Sequence, residues 1–209
     1  MAPTDIFKLG DIFPRRVDIL APGPNGKEHW SRLGPWVIAV NKAIQIPVDH
    51  DAWMVSDWWA VKTEWFAPAD KAFDGLRIFS ENLIDKRPDG VSEADISFRF
   101  LDGKSVTRPF GTAPYPPPLP DMFRPDGGVS ATAIEAAARF GAKKIVICGV
   151  DMEGGSYFDD KPSTSTECSH IGVWQWVPFF NSLIKWVKEQ GIDIYSLSPT
   201  ALDIEVRNG

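Results

Sequence analysis

At 209 residues, 44% of them hydrophobic and nine of them Trp, the chain has the apolar mass for a single sizeable domain. Its net charge of −6 argues against sequence-independent nucleic-acid binding, which needs a basic face. No apolar run nears the roughly 18–20 residues that span a bilayer, and two Cys without a signal peptide fit a reducing cytoplasm, so a cytoplasmic protein is expected.

Residues 1–16 read as a short arm or edge element. Val17–Ala21 is the first strand candidate, and it runs into Pro22-Gly23-Pro24-Asn25-Gly26, residue types suited to tight bends. Lys27–Leu33 has the length of a short helix whose amino-terminal amides would face that loop, a setting that binds phosphate. An ordinary turn is the plainer reading of the loop alone. Trp36–Val40 is a second strand, apolar throughout and stopping at Asn41, whose side chain both donates and accepts and so suits a base edge or a ribose. Trp53–Ser56 is a third, stopping at Asp57, which has the chemistry of a metal or ligand contact, as do Asp49, His50 and Asp51, or of a solvated loop. Residues 58–66, WWAVKTEWF, look like an amphipathic helix with its aromatics in the core, and Leu76–Ser80 is a fourth strand. This rhythm predicts a Rossmann-like α/β domain over 1–209, with a mostly parallel sheet and helices on both faces.

The texture then changes. Asp95–Phe100 and Ser105–Phe110 alternate about a Leu101-Asp102-Gly103-Lys104 turn, a β-hairpin pattern. Pro114-Tyr115-Pro116-Pro117-Pro118-Leu119-Pro120 cannot be a helix or a central strand. It reads as a stiff connector, with docking into another module's aromatic groove as the alternative. Hairpin and Pro-rich segment together make an insertion at about 90–125, placed to act as a flap.

Residues 126–160 are the organising stretch. Gly127 and Gly128 permit a tight turn or close approach to a ligand, and Val129, Ala133, Ile134, Ala137 and Ala138 recur at helical spacing. Gly141 ends that helix, and Lys144–Gly149 reads as a strand buried on both faces. Beyond its carboxyl end come Gly149-Val150-Asp151 and the loose Glu153–Tyr157, where ligands of open α/β sheets bind. Asp151 reads equally as a cap on a neighbouring turn and as a contact to a substrate hydroxyl or metal. Tyr157 would bond a phosphate or anchor its loop. The polar stretch 161–172 has the length of a lid or binding loop. It carries His170, whose ordinary pKa of about 6.5 suits a general base and equally a plain surface residue. A helix over about Val173–Gln190 and a strand at Ile192–Leu197 complete the domain, with Ser198-Pro199-Thr200 on the ligand side. His29, His50 and His170 are too dispersed for a zinc site, and no Walker A, Gly-x-Ser-x-Gly or dinucleotide fingerprint is present.

Taken together, these stretches resemble the bacterial lipooligosaccharide sialyltransferases and the related archaeal-type hydroxymethylpterin diphosphokinase family. The resemblance is carried by Val17–Lys27, by Ile38-Ala39-Val40-Asn41, and by Gly127-Gly128-Val129-Ser130 through Gly149-Val150-Asp151. Ser156-Tyr157-Phe158-Asp159, Ser169-His170-Ile171-Gly172 and the last strand with Ser198-Pro199 also match. It implies metal-independent, inverting transfer from a cytidine nucleotide sugar to a hydroxyl acceptor. Asn41 would contact the nucleotide, Gly128 would line the donor site, Tyr157 would hold the departing phosphate and His170 would serve as base. Glu153 stands where the family has a second tyrosine, and Val173 where it has its second histidine.

A nucleotide-sugar-dependent glycosyltransferase is therefore the leading expectation. Its partner would be a nucleotide or nucleotide sugar, held near Gly23, Asn25, Gly26, Asn41, Asp57, Gly127, Gly128 and Asp151, with no metal and no further cofactor. The alternatives are a pyrophosphokinase, in which Asp57 and Asp151 would hold magnesium, and a non-catalytic α/β binding module.

Overall fold

In the computed structural model, residues 3–85, 89–100, 114–124, 128–152, 158–159 and 176–207 are described. Among them, eight strands form one sheet: β1 (Thr4–Asp5), β2 (Arg16–Leu20), β3 (Val37–Val40), β4 (Ala52–Val55), β5 (Leu76–Ser80), β6 (Ile96–Phe98), β7 (Lys144–Cys148) and β8 (Asp193–Ser196). Their spatial order is β1-β6-β5-β4-β3-β2-β7-β8. Every pairing is parallel, so the Rossmann-like α/β expectation holds and the sheet is parallel throughout.

The apolar runs have a physical cause. A parallel sheet is covered on both faces, so its inner strands have no polar side to offer water. In β3, Ile38 and Val40 face one layer while Val37 and Ala39 face the other. The first layer is α3 (Gly128–Arg139) and α4 (Val177–Glu189), with Ile6 and Phe13 of the amino-terminal arm. Its Ala131, Ala133, Ala136 and Ala137 are all buried, and such small side chains let α3 lie close against β2, β3, β4 and β7. The second layer is α1 (Phe66–Ala72), α2 (Glu81–Asp85) and several 3-10 turns. It is centred on Trp53, whose ring lies 5.0 Å from Phe66 and 5.4 Å from Phe79.

Three local expectations change. Residues 58–66 do not form one helix: a 3-10 turn covers Trp58–Lys62, and α1 begins only at Phe66. Pro68 explains the boundary, because it lacks an N–H and its ring collides with the carbonyl four residues back, so it fits only a first turn. The short helix expected at Lys27–Leu33 is a 3-10 segment, Pro24–Arg32, that starts at Pro24. Ile96–Phe98, expected as part of a hairpin arm, joins the main sheet as β6 between β5 and β1. The second arm falls outside the described residues. Of the Pro-rich connector, Tyr115 is buried against Phe179 and Trp186 of α4, at 5.4 and 5.7 Å.

The strand order places the crevice. From β2 the chain steps outward through β3, β4, β5 and β6, then returns to lay β7 and β8 on the other flank of β2. Connections therefore leave β2 and β7 in opposite directions, and such a reversal opens a cleft at the carboxyl ends of the strands.

Candidate functional site

The loops leaving β2 and β7 meet at this switch point. The Gly23 amide donates to the Gly149 carbonyl at 2.9 Å, and the Asn25 amide donates to Oδ2 of Asp151 at 2.8 Å. Asp151 thus caps the amino end of the 3-10 segment Pro24–Arg32, where a carboxylate is favoured by unpaired amides. A Cβ on Gly23 would overlap the Gly149 carbonyl oxygen and the Asp151 carboxylate, so glycine is required by the neighbouring loop. Gly26 is similarly tight, since a Cβ there would sit 3.1 Å from the Gly149 backbone. Of the two readings open for Asp151, the geometry supplies the cap directly. Gly149 in turn takes φ +74° and donates to Oγ of Ser198 at 2.9 Å, which ties β7 to the segment after β8.

The next two strand ends carry Asn41 and Asp57. Asn41 takes a left-handed backbone, φ +49°, that Asn tolerates better than most residues. Its carbonyl accepts the Trp53 indole N–H at 2.9 Å, so the aromatic centre of the second layer fixes the strand end. Burial pushes the Asp57 carboxyl above its ordinary value, against the opposing effect of hydrogen bonds from Ser56 and Asn41. Asn41 and Asp57 therefore act as one unit across the β3 and β4 ends. Lys42 follows Asn41 and is buried, its Nζ 2.7 Å from Oδ2 of Asp159. Nothing in the sequence marked that pair: a lysine after an apolar strand reads as solvated.

α3 leads into β7, so it runs against the strands and brings its amino terminus to their carboxyl ends. Gly128, its first residue, has φ +64°, and the Trp176 ring lies 3.9 Å from where a Cβ would sit. The structure thus gathers Gly23, Asn25, Gly26 and Asp151 in one loop junction. Asn41 and Asp57 form a second pair, and Gly128 stands on the same side of the sheet. Gly127, Tyr157 and His170 lie outside the described residues, as do Glu153 and Val173. Among the described residues, no three His, Cys, Asp or Glu side chains gather as a metal ion would need, and no helix is long and apolar enough to cross a membrane.

Cys148 lies beneath this junction, fully buried, with Sγ 3.6 Å from the Gly26 carbonyl. Burial, helped by the charges of Asp151 and Asp18, pushes its thiol up to about 12. Only the thiolate is nucleophilic. In the native protein at pH 8, Cys148 should resist iodoacetamide and react only after denaturation. Peptide mapping by mass spectrometry checks this, and rapid native labelling would refute it.

No protein-family model matches the chain, and no curated protein matches its sequence. Its fold is similar to that of the sialyltransferase CstII from Campylobacter jejuni in complex with the substrate analogue CMP-3FNeuAc. The TM-score is 0.55 at 16% identity, over 93% of this chain and 87% of that one. A second CST-II structure, with trisaccharide acceptor and CMP, gives a TM-score of 0.53 at 16% identity over 92% and 86%. The MAf glycosyltransferase from Magnetospirillum magneticum AMB-1 gives 0.56 at 14% identity over 91% of this chain and 32% of that one, so this chain spans about a third of it. At such identities the likeness establishes the fold alone, the α/β fold shared with these transferase structures.

Proposed function

We propose that the protein is a nucleotide-sugar-dependent glycosyltransferase that works without metal. One observation carries this: at the switch point of a glycosyltransferase fold, the loops after β2 and β7 are locked together at Gly23, Asn25 and Asp151. Beside them stand Asn41 and Asp57, polar groups suited to a base or ribose. The positive end of α3 favours the donor's phosphate, while that of the Pro24–Arg32 turn is already taken by the Asp151 carboxylate.

In this reading His170 is the base and Tyr157 a contact to the leaving group. The acceptor hydroxyl gives its proton to His170 as its oxygen bonds to the anomeric carbon. The bond from that carbon to the phosphate oxygen breaks on the opposite face, and the nucleotide leaves with the electron pair. The anomeric centre inverts. Tyr157 donates a hydrogen bond to the departing phosphate and so offsets the charge that develops there.

The test is a thermal-shift series with cytidine, uridine and purine nucleotides and their sugar conjugates, with and without magnesium. A ligand at 100 times its Kd adds about 2.7 kcal/mol, which for a chain of this length raises the melting temperature by about 5–11 °C. Stabilisation by a pyrimidine nucleotide without magnesium is the expected result. Stabilisation only by a purine triphosphate with magnesium would overturn the reading in favour of a pyrophosphokinase. No shift with any nucleotide would leave a binding module.

A further inference from the structure

Lys42 is a buried cation where the sequence offers no reason for one. It has 5% of its side chain exposed, and its partner Asp159, in the turn after the β7 loop, has 27%. The Lys42 ammonium also stands 5.8 Å from the centre of the Phe158 ring. From the other side, the Phe158 amide donates to the Pro22 carbonyl at 2.8 Å, and its ring meets the Trp30 ring edge-on at 5.7 Å. The Phe158–Asp159 turn is therefore fastened at Pro22, just past β2, and at Lys42, just past β3.

Those two fastenings fall beside the two halves of the crevice. Pro22 immediately precedes Gly23 and the capped loop, while Lys42 immediately follows Asn41. Buried ion pairs rarely repay their desolvation, and their best-attested use is to fix one arrangement against others. The ring of Phe158 adds apolar packing that a solvated turn would lack.

We propose that Lys42 and Asp159 are positioning residues: through the Phe158–Asp159 turn they set the gap between Asn41 and the Gly23–Gly26 loop, and so the crevice's fit to a nucleotide. This rests on the nucleotide-binding reading above. They act through the walls of the crevice and are not assigned contact with substrate.

Asp159→Asn, which keeps the shape and an acceptor oxygen, and Lys42→Met should each raise the Kd for cytidine or uridine 5′-monophosphate about tenfold, equivalent to about 1.4 kcal/mol, because the Asn41 side of the site is no longer held. Lys42→Arg should stay within about threefold of the wild type, since a cation and its hydrogen bond are kept. A role in stability alone would lower the melting temperature and leave the Kd of the folded protein unchanged, and that result overturns the proposal. Should Lys42→Met fail to fold, Asp159→Asn decides. If neither monophosphate binds the wild type, the pyrimidine-nucleotide reading fails by itself. Hydrogen exchange at the Phe158 amide then judges the clamp. Exchange about tenfold faster in Asp159→Asn keeps it, and unchanged exchange overturns it.

Discussion

Replacing Arg16 by Met should lower the melting temperature by about 6–20 °C, the equivalent of about 3–5 kcal/mol for a chain of this size. The reason lies in β2, an inner strand between β3 and β7. Asp18 has no exposed surface there, and its carboxylate receives Nε and Nη2 of Arg16 at 2.8 and 2.9 Å together with the Gly34 amide at 2.6 Å. Removing the guanidinium leaves a buried charge with too few donors. Arg16 itself is 37% exposed, so losing Asp18 instead strands a cation that can turn to water. Asp18→Leu alone should therefore cost less than Arg16→Met, and the double variant Arg16→Met/Asp18→Leu should recover most of the loss. Chemical denaturation of the three variants checks the order. Equal losses for both single variants would show that the pair matters only as a surface ion pair.

Gly23→Ala should cost about 1–3 kcal/mol, a fall of about 2–12 °C in melting temperature, because overpacking here has no flexible neighbour to yield. The added methyl would meet the Gly149 carbonyl and the Asp151 carboxylate, and moving away would break the Gly23 amide bond to Gly149. The Asn25 amide would lose its cap with it. Nucleotide binding should weaken in parallel, since that junction forms one wall of the proposed site. Gly10→Ala is the control: a Cβ at Gly10 meets nothing within 4 Å, and its stability should stay within about 0.5 kcal/mol of the wild type. Equal behaviour of the two variants would dissolve the argument for a locked junction.

These predictions draw on features the sequence disclosed unevenly. The Gly-rich loop and Asp151 were visible as candidates because glycines and a carboxylate at strand ends are rare enough to be noticed. That Asp151 serves the Asn25 amide, 126 residues earlier, was not visible. The same holds for Asp18, which stands in an apolar strand as a lone charge until Arg16, two residues away, turns its guanidinium onto it. Lys42 gave no signal at all, since its partner is 117 residues distant.

By itself the sequence determined β2 to β5, β7 and β8, because burial on both faces forces apolar runs such as VIAV and IVIC. It also determined the covering helix α3, through its alanine spacing and the glycine that stops it. From strands alternating with covering segments, the parallel sheet followed. Only the tertiary structure decided which strands are neighbours and where the chain reverses. Local pattern cannot carry that information: β6 has the alternation of a hairpin arm but pairs in parallel with β5 and β1. The switch point is likewise a product of strand order, for it exists only because β7 returns to the far side of β2. The polar groups around it, Asp151 with Asn25 and Lys42 with Asp159, are brought into contact by that return and by nothing in their own neighbourhoods.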